Sequence, residues 1–185
     1  MDNFAPNVDT SVYNKEGPRF LVWLQTVLSR IRREFDKRQA NFIISTAAVD
    51  LQANTGEQVL YSAAISAGNF ITSGGYIDIS AFGFWANTAG QKSIRVKVGT
   101  TVLFDSGAIT AQNVPWCLEL RIASLGKTGQ IINGLLFYGN TFLQLNYSTS
   151  LDFTQAQTIN LTGQSTNGAA ADIVLSFYKL SYGGS

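Results

Sequence analysis

Beyond Asn41, apolar and polar side chains alternate along the chain, which is the period of a half-buried β-strand. Gly- and Asn-rich turns separate the alternating segments, and no second helical pattern interrupts them. Eight or nine short strands of this kind predict an all-β, antiparallel sandwich, and we expect a two-layer jelly roll. The predicted strands are Glu57–Ile65, Ile77–Ile79, Ile94–Val98, Thr101–Phe104, Trp116–Ile122, Gln130–Tyr138, Leu143–Tyr147, Thr158–Leu161 and Ile173–Phe177.

From Arg19 to Ala40 the pattern is helical. Pro18 suits the first turn of a helix, where a backbone N–H is not needed. Apolar residues then recur at spacings of three and four for about three heptads. Two interpretations stay open: an amphipathic helix that packs on its own domain, and a short coiled coil that joins subunits. The seam that would form the oligomer interface consists of Leu21, Leu24, Leu28, Ile31 and Phe35.

Additional apolar residues off this seam favour the coiled coil, because a segment that is apolar on most sides needs burial on most sides. We therefore predict three parts: an N-terminal docking arm over residues 1–17, a helix forming a short oligomerising stalk over 18–41, and a β-sandwich head over 42–185. Leu and Ile share the seam positions, a mixture not committed to two strands, and we expect a homotrimer. The residues predicted to dock to a larger particle are Phe4, Tyr13, Phe20 and Trp23.

The charges lie mostly at one end of the chain. Residues 1–40 hold twelve of the 25 charged side chains, and the formal net charge of the whole chain is only +1. A net charge this close to zero gives no sign of the basic surface that binds nucleic acid. No apolar run reaches the roughly 18 residues of a membrane helix, and no signal peptide is visible, so we expect synthesis in the cytosol and no membrane insertion.

Little catalytic chemistry is present. Histidine is absent and Cys117 is the single cysteine, which removes histidine-based catalysis, a disulfide within the chain and cysteine-based metal sites. Gly126-Lys127-Thr128 lacks the remaining residues of a phosphate-binding loop and is interpreted as a hairpin turn. A glycosidase would need two converging carboxylates, and the acids are scattered along the sequence. We predict no enzymatic activity, no cofactor and no metal.

The aromatic residues are the remaining candidates for a binding site. Tyrosine and tryptophan combine a large apolar contact area with a polar group, as subunit interfaces and sugar-binding faces require. The phenylalanines, including Phe82 and Phe84, are assigned to core packing. The residues proposed for ligand or interface contact are Trp85, Tyr138, Tyr147, Tyr178 and Tyr182.

Three strings in the head are similar to β-rich structural domains of tailed-bacteriophage virion proteins: Glu57–Ile65, Lys92–Gly107 and Thr154–Gln164. Such domains occur in tail fibres, spikes, head fibres and decoration proteins. The resemblance implies a trimer of jelly rolls on the virion surface, made in the host cytoplasm, and it transfers no catalytic residue. Its partners would be other virion proteins of the capsid, neck or tail, and an adhesion fibre would also contact a glycan or protein of the host surface. The alternative is a capsid decoration protein that stabilises the phage head.

Overall fold

The computed structural model describes residues 41–46, 48–68, 70 and 73–183. The predicted arm and helix, with all their seam and docking residues, lie outside this part of the chain. The described backbone forms strands and turns without a helix. The strands are β1 (Asn41–Ser45), β2 (Val49–Asp50), β3 (Gln58–Ile65), β4 (Tyr76–Trp85), β5 (Lys92–Val98), β6 (Thr101–Asp105), β7 (Val114–Ser124), β8 (Gly129–Tyr138), β9 (Thr141–Ser150), β10 (Gln157–Ser165) and β11 (Ile173–Gly183).

The strands form two antiparallel sheets that face each other across one core. The large sheet has the order β1-β11-β4-β7-β8-β9, with β2 also paired to β11, and the small sheet has the order β3-β10-β5-β6. If β1 and β2 count as one strand and the β8–β9 hairpin is set aside, eight strands remain. When these eight strands are numbered along the chain, the large sheet has the order first, eighth, third, sixth. The small sheet has the order second, seventh, fourth, fifth. This is the strand order of a jelly roll. The hairpin widens the large sheet by two strands.

All nine predicted strands are found, and the prediction of an all-β antiparallel sandwich is confirmed. The short strands β1 and β2 were not predicted. Strand β1 holds the unbroken apolar run Phe42-Ile43-Ile44, which shows no alternation. Strand β2 has only two residues, too few to show any period.

The core lies between the inner faces of the two sheets. Strand β4 contributes Ile77 and Ile79, and the small sheet contributes Ile94 and Leu161, all with no exposed surface. The alternation seen in the sequence therefore separates buried from solvent-facing residues as expected. Burial of each such side chain stabilises the fold by about 1.5–3 kcal/mol.

A buried cluster of polar side chains connects the β4–β5 loop to the β10–β11 loop at one end of the core. The Lys92 ammonium donates hydrogen bonds to the carbonyl oxygens of Thr88, at 2.8 Å, and Gly90, at 3.4 Å. The Asp172 carboxylate accepts hydrogen bonds from the hydroxyls of Thr88, at 2.5 Å, and Ser165. Lys92 and Asp172 are both fully buried. Burial lowers the pKa of Lys92, while the negative charge of Asp172 acts in the opposite direction.

Candidate functional site

The outer face of the large sheet carries three rows of side chains that cross strands β11, β4, β7, β8 and β9. The strand register defines each row, because directly paired residues project to the same face. The polar row is Ser181, Asp78, Arg121, Asn133 and Asn146. The middle row is Lys179, Ser80, Glu119, Leu135 and Gln144. The aromatic row is Phe177, Phe82, Cys117, Phe137 and Phe142.

In the polar row, Asp78 and Arg121 form an ion pair with two parallel hydrogen bonds. Arg121 Nε lies 2.6 Å from Asp78 Oδ1, and one terminal guanidinium nitrogen lies 2.6 Å from Oδ2. These hydrogen bonds, with the carboxylate charge, raise the pKa of Arg121. The guanidinium carbon also lies 5.5 Å from the centre of the Tyr76 ring, within range of a cation–π interaction. Both oxygens of Asp78 are thus engaged by a fixed cation.

The three rows surround a groove of about 770 Å³ on this face. Its lining includes Asp78, Glu119 and Arg121 from the central strands and Phe137, Phe142 and Gln144 from the β8–β9 hairpin. The Ser80 hydroxyl donates a hydrogen bond to Glu119 Oε2 at 2.7 Å. The groove therefore has polar groups that are already hydrogen-bonded on one side and phenylalanine rings on the other.

The aromatic row groups three exposed phenylalanines on one face of the large sheet. The exposed fractions are 66% for Phe142, 49% for Phe137 and 41% for Phe82, and the rings of Phe82 and Phe177 have centroids 5.5 Å apart. Leu135 in the middle row is 42% exposed. Grouped apolar side chains on one face of a domain mark an interaction surface, whereas single exposed ones are ordinary.

The outer face of the small sheet carries a network of paired charged groups where the large sheet carries its row of exposed phenylalanines. The Glu57 carboxylate lies 2.7 Å from the Lys97 ammonium and 3.5 Å from the Arg95 guanidinium, and Arg95 Nε also lies 2.7 Å from Asp105. Glu57 further accepts a hydrogen bond from the Thr162 hydroxyl. This network is typical of a solvated surface, so the outer face of the large sheet is the better candidate for binding.

The aromatic residues proposed from the sequence lie mostly elsewhere. Trp85 and Tyr178 are fully buried, out of reach of a ligand or a neighbouring subunit, which corrects the prediction for these two residues. Tyr138 packs edge-on against Trp85 with ring centroids 4.9 Å apart, and Tyr182 is half-buried against the core. Tyr147 is exposed at one ring edge, and its hydroxyl donates a hydrogen bond to the Leu103 carbonyl at 2.7 Å.

The most exposed aromatic residues are phenylalanines, which the sequence analysis had assigned to the core. The signal that identifies them is their position within each strand. Phe82 alternates with the inward-facing Ala81 and Gly83, and Phe142 precedes Leu143, which packs against the core. Strand parity therefore places both phenylalanines on the outer face.

The functional groups of the described residues offer little reactivity. Asp78 and Glu119 line the same groove, but both oxygens of Asp78 already accept hydrogen bonds from Arg121. Burial, followed by the charge of Glu119, raises the pKa of the Cys117 thiol and keeps it protonated. No group of three or more acidic or cysteine side chains within the described ranges could hold a metal ion. In the same part of the chain, no helix is long and apolar enough to span a membrane.

Comparison with known proteins yields only distant similarities in fold. No protein-family model matches the chain, and no curated protein matches it significantly. The structure of dimeric latent PorU from Porphyromonas gingivalis aligns with 77% of this chain and 13% of that one, at 12% identity and a TM-score of 0.35. A chain of infectious bursal disease virus strain Gx aligns over 79% of this chain and 32% of its own, at 12% identity and a TM-score of 0.31. The CBM2 module of the evolved Dit protein of Lactobacillus casei BL23 phage J-1 aligns over 65% and 67%, at 12% identity and a TM-score of 0.26. All three TM-scores are too low for these similarities to indicate function.

Proposed function

We propose that this chain is a structural protein of a tailed-bacteriophage virion, a small trimeric appendage of the fibre or spike type. The N-terminal segment anchors it to the particle and the β-sandwich head points outward, where it is available to the host surface. The observation that carries the proposal is the exposed aromatic row on a head whose polar groups are engaged with one another. Such a head is suited to contact with other molecules and offers no arrangement for chemistry.

The hydrogen bonds and ion pairs of several acids support a non-catalytic role. Asp78 is bound at both oxygens, and Asp172 is buried beneath two hydroxyl donors. Asp105 is paired with Arg95, and Glu57 with Lys97. A general acid or base must exchange its proton with a substrate, and a carboxylate already held by cations or hydroxyls is poorly placed to do so.

The anchoring role rests on the sequence of the N-terminal segment. Phe4, Tyr13, Phe20 and Trp23 provide apolar side chains that would each contribute about 1.5–3 kcal/mol when buried in a socket on the particle. Three copies joined through the seam of Leu21, Leu24, Leu28, Ile31 and Phe35 would add avidity to that contact.

A second candidate is a capsid decoration protein, which the aromatic row itself favours. A row of apolar side chains that crosses five strands could lie directly on a capsid surface and attach the protein through its head instead of its arm. The two functions therefore differ in which part of the chain holds the particle.

The test is where the protein is found on phage carrying Phe20→Asp and Trp23→Asp in the full-length chain. The fibre proposal expects particles without the protein, measured by blotting purified virions and by electron microscopy of a C-terminal label. Arg32→Ala and Arg33→Ala, which keep the predicted seam intact, serve as the control and should leave the protein in place. Retention of the Phe20→Asp/Trp23→Asp protein on particles would instead support attachment through the head.

A further inference from the structure

We propose that strand β9 and the phenylalanines beside it, Phe137 and Phe142, form the contact between the heads of neighbouring copies of this chain. This inference rests on the proposed function, because it assigns the head surface through which the subunits of the appendage meet. The surface is named the β9 edge below and comprises Thr141–Ser150 with Phe137.

The first argument is that β9 is an unprotected edge. It pairs with β8 on one side, and no strand of the described ranges pairs with its other side. Its ten residues contain no charge, proline or glycine, and its register with β8 runs without a shift. Natural edge strands are usually kept from pairing by such charges, prolines or bulges. A long, regular and neutral edge is therefore suited to being covered.

The other edges of the sandwich support this contrast. Strand β3 has a register shift against β10, and β6 has one against β5, so both edges are irregular. One backbone group of the β6 edge is also engaged, because the Tyr147 hydroxyl of β9 donates a hydrogen bond to the Leu103 carbonyl. Strand β1 has five residues, half the length of β9.

The second argument is the apolar surface next to the edge. Phe142 lies on β9 directly opposite Phe137 on β8, and their exposed fractions are 66% and 49%. Leu135, 42% exposed, lies two residues before Phe137 on the same face. Aromatic residues of this kind are enriched at the buried centres of protein interfaces.

The third argument identifies the partner as a second copy. No charged residue occurs between Lys127 and Asp152, so the β8–β9 hairpin has no charge with which to attract a charged partner. The same uncharged hairpin of a second copy of this chain is compatible with it. The predicted seam ends at Phe35, and β1 begins at Asn41, so associated helices would hold the heads at high local concentration. Five strand spacings, about 24 Å, separate β9 from β1, so the two strands lie at opposite edges of the large sheet.

The experiment places a benzophenone-bearing phenylalanine analogue at position 142 of the full-length protein and irradiates it. We expect covalent chain-to-chain products, identified by mass spectrometry. The matched control carries the same analogue at Val59, which is 57% exposed on the small sheet and should give none. Equal chain-to-chain products from both positions would indicate random collision and overturn the proposal.

A second measurement separates the head contact from the helix. Leu28→Asp should weaken the association of the helices, so that light scattering detects only the weaker, concentration-dependent association of the heads. The double variant Leu28→Asp/Phe142→Asp should lose this remaining association. An oligomeric protein without chain-to-chain products at position 142 would overturn the inference. Cross-linking of position 142 to a different virion protein on intact particles would also overturn the inference, and it would favour attachment through the head, as in a decoration protein. Absence of the protein from particles would contradict the proposed function but not the contact between heads.

Discussion

Gly83 lies directly opposite Trp116 on the neighbouring strand, and the Trp116 indole occupies the space that a β-carbon at position 83 would need. Such a β-carbon would lie 2.3 Å from Cζ2 of the indole and 2.0 Å from the carbonyl oxygen of Val174. The carbonyl belongs to the paired strand β11 and cannot move without distorting the sheet. Glycine at this position therefore allows a buried tryptophan to cross the inner face of the large sheet.

Gly83→Ala should destabilise the protein by about 3 kcal/mol, because an added methyl group in a filled core forces backbone or ring displacement. Urea unfolding followed by tryptophan fluorescence measures the change. Gly129→Ala is the matched control, since its β-carbon would meet Leu125 Cβ at 3.5 Å, an ordinary contact. Its effect should stay within about 0.5 kcal/mol. Equal losses in the two variants would contradict the steric explanation.

Removing Lys92 should leave the buried carbonyl oxygens of Thr88 and Gly90 without their hydrogen-bond donor and take a positive charge away from the neighbourhood of Asp172. Lys92→Met is expected to destabilise the fold by about 1–3 kcal/mol, the usual cost of leaving buried polar groups without a partner. The double variant Lys92→Met/Asp172→Asn removes the remaining charge and should recover part of that loss. Urea unfolding of the single and double variants measures the coupling. Strictly additive effects would show that the two groups do not depend on each other.

Strand positions could be predicted from the sequence because alternation survives wherever one face of a strand is buried. The alternation within β5 even places Lys92 on the inner face, together with Ile94 and Val96. A charged side chain at an inward position indicates that buried polar groups bind it. Its partners could not be found this way, because the Thr88 and Gly90 carbonyls lie in the loop between β4 and β5, outside any alternating pattern.

The candidate site was harder to predict, because residue type was a poor guide to exposure. Trp85 was expected to be available for binding and is buried, whereas Phe82 was expected in the core and is exposed. The three rows on the outer face depend on strand order, which pairs β4 with both β11 and β7. Residues far apart in the sequence meet there, and local pattern contains no information about that pairing.

Ala171 has a positive φ of 59°, a backbone conformation that costs an L-residue about 1 kcal/mol. Its position is fixed by a hydrogen bond from its N–H to the Leu51 carbonyl at 2.8 Å. Ala171→Gly should therefore raise the free energy of unfolding by up to about 1 kcal/mol, reduced by the greater freedom of glycine in the unfolded chain. Thermal unfolding measures the change.

Ala170→Gly is the control for that substitution. Ala170 is exposed, and its φ is not among the positive values of the described residues. Glycine at position 170 should leave stability unchanged or lower it slightly, because it only increases unfolded-state entropy. A stabilisation of the same size at both positions would show that the conformation of Ala171 is not the cause.

Glu57 should make the stability of the head depend on acid pH. Partial burial raises the pKa of its carboxyl, but hydrogen bonds from Lys97 and Thr162, with the charges of Lys97 and Arg95, outweigh burial and lower it below the ordinary value of 4.5. A carboxyl whose pKa is lower in the folded state than in the unfolded state stabilises the fold above its unfolded pKa. That contribution is lost as the pH falls below about 4.5 and through the folded pKa, because the folded carboxylate must then take up a proton.

Glu57→Gln should accordingly destabilise the protein at about pH 7 and have little effect at about pH 3. The difference at neutral pH should be about 1 kcal/mol or less, since the Glu57 side chain is 27% exposed and its ion pairs are screened by solvent. Urea unfolding of the wild-type protein and the variant across this pH range measures it. Lys97→Met is the companion variant, and its effect should shrink over the same pH interval because its ion-pair partner becomes neutral. A constant difference between the wild-type protein and Glu57→Gln at all pH values would show that Glu57 acts through packing rather than through its charge.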